Sequence, residues 1–402
     1  MDQRAYPQYV AIACLARAFG RVHDTGINLK KSPDDFSFGV EEEFFLADAE
    51  TMQIAEDPSP RLFETAVAQL GSRVGREFLQ PQIEVATAPH RDPADARKEL
   101  VQLRQGVGEI AAEHGIAIMA AGTHPTARWR NVEQTPRKRY GALMEGLQMI
   151  GQRNMLCGMH VHVQLPDPAR RVEVMSRMIR YIPLFVALST SSPFWQSRRT
   201  GLMGYRLAAY DELPRTGLPD LFKTTEEYEA YIGALVRSGV IQDASFVWWT
   251  IRPSLKYPTL ELRAPDCCTR VDDALAIAAL YRGLVRHLYL NPPQGREMDV
   301  VARAISVENK WRAQRFGVAG TFVTEGGAIS VADMLEQVID RVQADAAALG
   351  CTAELADCRR IVTHGTSADE QLRIFDQGAP ERSADAALQE VCRWIASTTL
   401  QS

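Results

Sequence analysis

Four short stretches between residues 36 and 265 carry ionisable or amide side chains at every second position and apolar ones between them. They are GVEEEF (39–44), QPQIEV (80–85), MHVHVQ (159–164) and TLELRA (259–264). A β-strand sends alternate side chains to opposite faces. Glu41 and Glu43 therefore share one face, against Val40, Glu42 and Phe44. Gln82 and Glu84 oppose Ile83 and Val85, and His160, His162 and Gln164 oppose Met159, Val161 and Val163. Glu261 and Arg263 oppose Leu260 and Leu262. A sheet with one apolar and one polar face is the signature of antiparallel strands packed on one side only.

A solvated sheet face would produce the same alternation, but it would be expected to carry Lys, Thr and Ser. This polar set is Glu, Glu, Glu, His, Glu and Arg, with no Lys. Carboxylates that converge repel one another and need a cation between them. Oxygen-rich sites with an imidazole suit Mg²⁺ or Mn²⁺. Such ions, with an arginine nearby, are what phosphoryl transfer uses to neutralise charge on the moving group.

The rest of the composition narrows the partners. A formal net charge of −5 over 402 residues gives no global basic field to gather nucleic acid or anionic lipid. The seven cysteines are scattered without a CxxC pair, as in reduced intracellular thiols. No stretch reaches the ~18 to 20 uninterrupted apolar residues that span a bilayer, and Val10–Phe19 reads as an amphipathic segment interrupted by Arg17. These features point to a cytoplasmic protein. The chain has no GxxxxGK[ST] loop and no GxGxxG after a strand, so a bound nucleotide would be held through its metal ions.

Along the chain, residues 1–35 read as an extension closed by the polar turn Lys30–Asp35. Strands are expected at 36–48 and 77–87, the second with Pro81 at an edge, bulge or turn. A helix should start at the N-cap Asp92 with Pro93 in its first turn and end before Gly115. Further strands are expected at 116–121, 159–165, 247–254 and 259–265. Helices are expected at 137–152, 169–190 with a kink at Pro183, and 225–238. Residues 191–221 read as a loop too long to be a plain connector. The last third reads as helical, over 271–290, 298–314, 331–348 and 383–398.

Two histidines on one strand also fit a zinc hydrolase built on His160 and His162, which requires a third ligand and an open coordination position. The remaining histidines, at 23, 90, 114, 124, 287 and 364, supply no matching context. His162 otherwise reads as a packed or supporting residue.

FGVEEEFFL, EFLQPQIEVAT, LCGMHVHVQL, SSPFWQSRRTGLMGYR, IRPSLKYPTLELRAPD and ENKWRAQRFG occur in this order from Phe38 to Gly317. Together they resemble the carboxylate–amine ligases of the glutamate–cysteine ligase type 2 family. The resemblance implies an α+β fold: a curved, mainly antiparallel six-stranded sheet of glutamine-synthetase type, with helices on its outer face and a helical C-terminal flank. Residues 36–402 would form a single catalytic domain. The implied reaction is ATP-dependent phosphorylation of a carboxylate, often the γ-carboxylate of glutamate, followed by attack of an amine such as that of cysteine.

Carried over to this chain, Glu41, Glu43, Glu77, Glu84 and Glu261 look like metal ligands, and His160 like the imidazole beside metal and phosphate. Arg263 looks like a phosphate-directed guanidinium, and Arg198 resembles a substrate- or phosphate-binding arginine. Glu77, seven residues before Glu84, falls on the opposite face of a regular strand and needs a bulge or bend at Pro81 to join the site. Two departures bear on the substrate: Arg199 stands where the family commonly has an acidic residue, and Thr250 where it often has Asp. The expectation is therefore an acyl-phosphate amide ligase using ATP and Mg²⁺ or Mn²⁺, with a small carboxylate and an amine as substrates and a homodimer as the default assembly. A zinc hydrolase and an inactive binding protein of the same fold are the alternatives.

Overall fold

A computed structural model describes residues 35–136, 138–293, 298–378 and 383–401. The expected N-terminal extension lies outside these residues except for Asp35. Strand β1 (Phe38–Asp48) organises the main sheet. It is followed by β2 (Val74–Arg76), β3 (Gln82–Ala86), β4 (Ile116–Met119), β5 (Met159–Gln164), β6 (Phe194–Trp195), β7 (Arg198–Arg199), β8 (Ile251–Pro253), β9 (Thr259–Leu262), β10 (Thr321–Thr324) and β11 (Gly327–Ser330). The order β2-β3-β1-β5-β9-β8 lays six strands side by side, every pair antiparallel, with β4 as a seventh. β1 pairs with β3 along one edge. On the other it gives Phe38–Glu42 to β5 and Phe45–Asp48 to β4. The change of partner follows the sequence: alternation ends at Phe44, and Phe44–Ala47 are buried without interruption, as expected where both faces of a strand are covered.

The helices are α1 (Pro60–Leu70), α2 (Pro93–Ala112), α3 (Lys138–Leu147), α4 (Met149–Gln152), α5 (Arg171–Met178), α6 (Ile182–Ser189), α7 (Tyr205–Tyr210), α8 (Thr225–Arg237), α9 (Val271–Leu290), α10 (Val300–Phe316), α11 (Val331–Ala348), α12 (Thr352–His364), α13 (Ser367–Gly378) and α14 (Ala384–Thr399). α2 begins as its sequence dictates: the Asp92 side chain accepts from the Ala94 N–H and Pro93 occupies the first turn. Gly115 adopts φ +67° just beyond its end. The kink expected at Pro183 takes the form of a 3₁₀ turn, Ile179–Tyr181, between α5 and α6. Proline there donates no N–H and its ring excludes the carbonyl four residues back.

Helices α2, α5 and α9 cover the apolar face of the sheet. Val40, Val161, Val163, Ile251, Leu260 and Leu262 are buried there with Leu100, Met175, Ala276 and Leu280. α11 and α12 pack on α9 as an outer layer. Side chains of this size each contribute about 1.5–3 kcal/mol on leaving water, so this face holds the sheet flat against its helices while the other face remains polar.

Glu42 is the exception on the apolar face. It is fully buried, and Arg104 of α2 grips it with two bonds, Nη2–Oε1 at 2.6 Å and Nε–Oε2 at 2.8 Å. Arg104 also donates to the carbonyls of Cys268, Thr269 and Thr399, tying two distant segments, as well as Glu42 of β1, to one guanidinium. A buried pair with every donor used holds its place, but loss of either partner strands the other charge.

Some elements differ from expectation. The single strand expected over 77–87 is a hairpin, β2–β3, with its turn at 77–81. β8 is confined to Ile251–Pro253. Residues 191–221 contain the β6–β7 ribbon and α7, and α1, α12, α13 and the β10–β11 hairpin were not foreseen.

Candidate active site

The polar face acquires its chemistry from register. Glu43 of β1 lies opposite Glu84 of β3, and Glu41 opposite His160 of β5. Glu261 of β9 has His162 on one side and Arg252 of β8 on the other. A row of ionisable groups thus crosses five adjacent strands. Glu41, His160 and Glu261 each present a donor atom within 4.8 Å of the other two. His160 Nδ1 is 3.4 Å from Glu41 Oε2 and 4.0 Å from Glu261 Oε1, while its Nε2 is 3.8 Å from Glu43 Oε1. That Nε2 is buried and makes no hydrogen bond.

These groups open into a cavity of about 520 Å³ lined by Glu41, Glu43, Glu77, Glu84, His160, His162, Glu261 and Arg263, all on the main sheet or beside it. Leu143 and Leu147 of α3, Tyr210 of α7, Trp248 and the β8–β9 turn residues Lys256 and Tyr257 also line it. Glu77 reaches the cavity because the chain turns at Pro81. Residue 77 then stands at the start of the β2–β3 turn, just past the end of β2, where its N–H donates to the Gln82 carbonyl at 3.5 Å and its Oε2 accepts from the Phe78 N–H at 2.6 Å. The bend that the sequence required is the β2–β3 turn.

The two ends of the cavity differ in charge. At one end Glu43, Glu77 and Glu84 face each other, and among the described residues no lysine or arginine forms an ion pair with them. Burial, then Glu43, pushes the Glu77 carboxyl up to about 7, and burial with Glu77, Glu41 and Glu43 pushes Glu84 well above its ordinary value. At the other end burial opposes ionisation of Glu261, but Arg263 and Arg252 outweigh it and hold that carboxyl well below the usual range. Arg252 clasps Glu261 with Nε–Oε2 at 2.8 Å and Nη2–Oε1 at 3.2 Å, and Arg263 Nη1 donates to Glu261 Oε1. Glu41 lies between the two ends. Hydrogen bonds from His160 and His162 overcome its burial and keep it ionised. Burial and Arg263 lower His160, which is therefore neutral, whereas Glu41 and Glu261 outweigh burial to raise His162.

An excess of carboxylates that cannot all ionise together, next to a neutral imidazole with an unused nitrogen, fits a hard divalent cation. The converging set contains one imidazole and two carboxylates. His162 instead bonds Thr259 at 2.9 Å and reaches Glu41 at 3.4 Å, which is the supporting position the sequence allowed it.

Arg198 is exposed on β7 and is not among the residues lining the cavity. Its neighbour Arg199 bonds Asp376 of α13 and lies over the Phe375 ring. Thr250 is buried but does not line the cavity, and its carbonyl accepts the Arg263 N–H at 2.8 Å. Neither departure from the family pattern therefore changes the charge of the cavity wall.

Two arginines that sequence reading passed over do enter it. Arg252 is the middle residue of β8, a strand too short to show an alternation of its own. Arg206 of α7 is buried, its Nη1 donating to the carbonyl of Pro265 at 3.1 Å and its Nε left unpartnered. The guanidinium fits because residue 158 is glycine: a Cβ there would stand 2.0 Å from Arg206 Nη2. That pairing joins two of the quoted motifs, but no one-dimensional pattern connects them.

A family model described as "Glutamate-cysteine ligase family 2" matches residues 37–393. A Bradyrhizobium protein named "Putative glutamate–cysteine ligase 2" is 56% identical over 366 residues, 91% of this chain and 88% of its own length. A Rhodospirillum rubrum protein of the same name is 41% identical over 372 residues, 91% and 96% of the two chains. Among solved structures, a glutamate–cysteine ligase from Francisella tularensis in complex with AMP aligns at TM-score 0.67 and 12% identity, over 92% of this chain and 89% of that one. A bifunctional glutathione synthetase from Pasteurella multocida aligns at TM-score 0.70 and 16% identity over 90% of this chain. This chain spans 52% of that structure's length. At such identities the two structures establish the fold alone.

Proposed function

Because this chain belongs to glutamate–cysteine ligase family 2 and is an ATP-dependent carbon–nitrogen ligase, we propose that it makes an amide through an acyl phosphate. In this reading the γ-phosphoryl group of ATP passes to an oxygen of a carboxylate substrate, leaving ADP. The amine then attacks the activated carbonyl carbon, phosphate departs, and the amine nitrogen gives up a proton. The substrate class is an amino acid such as glutamate as the acid, joined to an amino acid such as cysteine as the amine.

The observation that carries the proposal is the convergence of Glu41, His160 and Glu261 within 4.8 Å, with uncompensated carboxyls on one side and arginines on the other. Glu41, Glu43, Glu84 and Glu261, with Glu77 from the hairpin, would hold Mg²⁺ or Mn²⁺. Such ions supply neutralisation of the phosphate charge during transfer. Arg263 is aimed by its bond to Glu261 and stabilises negative charge that grows on the transferred group. Arg252 fixes Glu261 from the other side, so the carboxylate does not swing with its partner. His160, neutral, can donate from one nitrogen and accept or ligate with the other. The rigid sheet supplies proximity: all these groups stand on neighbouring strands in fixed register.

The test is ATP-dependent phosphate release screened over amino acids, with hydroxylamine present to trap an acyl phosphate as the hydroxamate. Hydroxamate formation that requires Mg²⁺ or Mn²⁺ and disappears in Glu41→Gln is the expected result. Phosphate release without any hydroxamate, across all acids tried, would eliminate the acyl-phosphate route.

A further inference from the structure

A basic cleft lies in the helical layer, on the side of the main sheet away from the catalytic cavity. Arg177 and Arg180, three residues apart in a helical stretch, project from one face of it. With Tyr181, His287 near the end of α9 and Arg341 of α11, they line a chamber of about 250 Å³. A groove of about 390 Å³ shares Arg180, Tyr181 and Arg341 with the chamber and continues past Ile305, Met334 and Val338. Neither space shares a lining residue with the catalytic cavity.

The charges of this cleft are not balanced. Among the described residues no carboxylate lines the chamber, and Glu325 is the acid on the groove. Arg177 is engaged: it donates to the carbonyls of Leu288 and Asn291 at the end of α9 and has Glu173 at 3.6 Å. Asp345, one turn along α11 from Arg341, is held by Arg286 and His287. Among the described residues, neither Arg180 nor Arg341 forms an ion pair with a carboxylate. Unpaired arginines are ordinary on a solvated surface; what sets this pair apart is a buried hydroxyl in the same cleft. Tyr181 is 6% exposed, and its oxygen accepts from Arg341 Nη1 at 2.6 Å. The phenol proton then has no acceptor among the described residues, and a largely buried hydroxyl lining a cleft calls for an acceptor inside it.

We propose that the junction of chamber and groove binds the phosphate group of a small molecule whose remaining part lies along the groove. Two planar guanidiniums and one hydroxyl donor match the terminal oxygens of a phosphate monoester or diphosphate. Tyr181 aims Arg341 and offers its own proton, so three donors from two elements converge on one anion. The apolar side chains of Ile305, Met334 and Val338 suit an uncharged body, and Glu325 turns a second anionic group away from the groove.

Inorganic pyrophosphate is the probe, titrated calorimetrically into the full chain in EDTA, so that no divalent ion recruits it to the catalytic carboxyls. Wild type should bind one equivalent with a dissociation constant below about 1 mM. Arg180→Gln and Arg341→Gln should each weaken binding at least about tenfold, and Tyr181→Phe at least about threefold. Arg393→Gln, which removes an exposed charge on α14, and Arg263→Gln, in the catalytic cavity, should each stay within about twofold of wild type. Circular dichroism checks that each variant is folded. Absence of saturable binding up to about 5 mM overturns the proposal. So does binding indifferent to the changes at Arg180 and Arg341, loss of binding in Arg263→Gln, or equal weakening by Arg393→Gln. Citrate bound as tightly as pyrophosphate would overturn the assignment to phosphate in favour of a carboxylate ligand.

Discussion

Replacing Glu77 with glutamine tests the electrostatic account of the cavity where its magnitude can be worked out. The Glu77 carboxyl sits at about 7 in the folded protein against an ordinary 4.5, because burial and then the Glu43 charge disfavour its ionised form. The folded state therefore holds this proton more tightly than the unfolded state. Stability from this group is complete below about 4.5 and is lost as the pH rises through about 7. At pH 8, in chelator, ionised Glu77 costs the fold roughly 3 kcal/mol; at pH 5.5 the cost is about 1 kcal/mol. Glutamine keeps the shape and can still accept from the Phe78 N–H, but carries no charge at either pH. Glu77→Gln should thus exceed wild type in stability by about 3 kcal/mol at pH 8 and by only about 1 kcal/mol at pH 5.5. Urea unfolding followed by tryptophan fluorescence, in EDTA at both pH values, measures the difference. Added Mg²⁺ should then raise the unfolding midpoint of wild type at pH 8 more than that of the variant. An equal offset at the two pH values, or a variant less stable than wild type at pH 8, would refute the claim that these carboxyls crowd one another without a cation.

Three other perturbations follow from the geometry. Glu41→Gln removes the carboxylate between the two ends of the site and should lower kcat/KM by at least about 10² to 10³-fold with an unchanged circular dichroism spectrum; ligase turnover near wild type would take Glu41 out of the mechanism. Arg104→Met leaves Glu42 buried without its partner and should cost about 3–5 kcal/mol in urea unfolding, most of it regained when Glu42→Leu is added. Gly158→Ala pushes a methyl group into the Arg206 guanidinium and should cost about 1–3 kcal/mol by overpacking; a turnover unaffected by the change would mean that the cavity does not depend on Arg206.

The parts of the fold that were legible in the sequence share a local cause. Period-two alternation exposed β1, β3, β5 and β9 because each has one wet and one dry face, and Asp92, Pro93 and Gly115 bounded α2 by capping chemistry alone. α12 and α13 went unread although they are regular helices. Glu42 was assigned to the correct face, yet nothing near it in the chain announces Arg104, sixty-two positions away. Arg198 attracted notice because it lies in a glycine- and arginine-rich loop. The structure leaves it exposed and sends Arg206 of the same loop inward, since α7 begins at Tyr205 and Gly158 provides the space.

The residue types and their alternation determined that this chain would form a sheet with one face of carboxylate, imidazole and guanidinium, because side-chain direction in a strand depends only on parity. Which of those groups would meet was decided by strand order and register, which depend on pairings between segments tens to hundreds of residues apart. Parity put Glu77 on the wrong face, and only the turn at 77–81 reversed it. The charge state of the site is tertiary in the same sense: a carboxyl titrates according to its neighbours in space, and here those neighbours arrive from five strands.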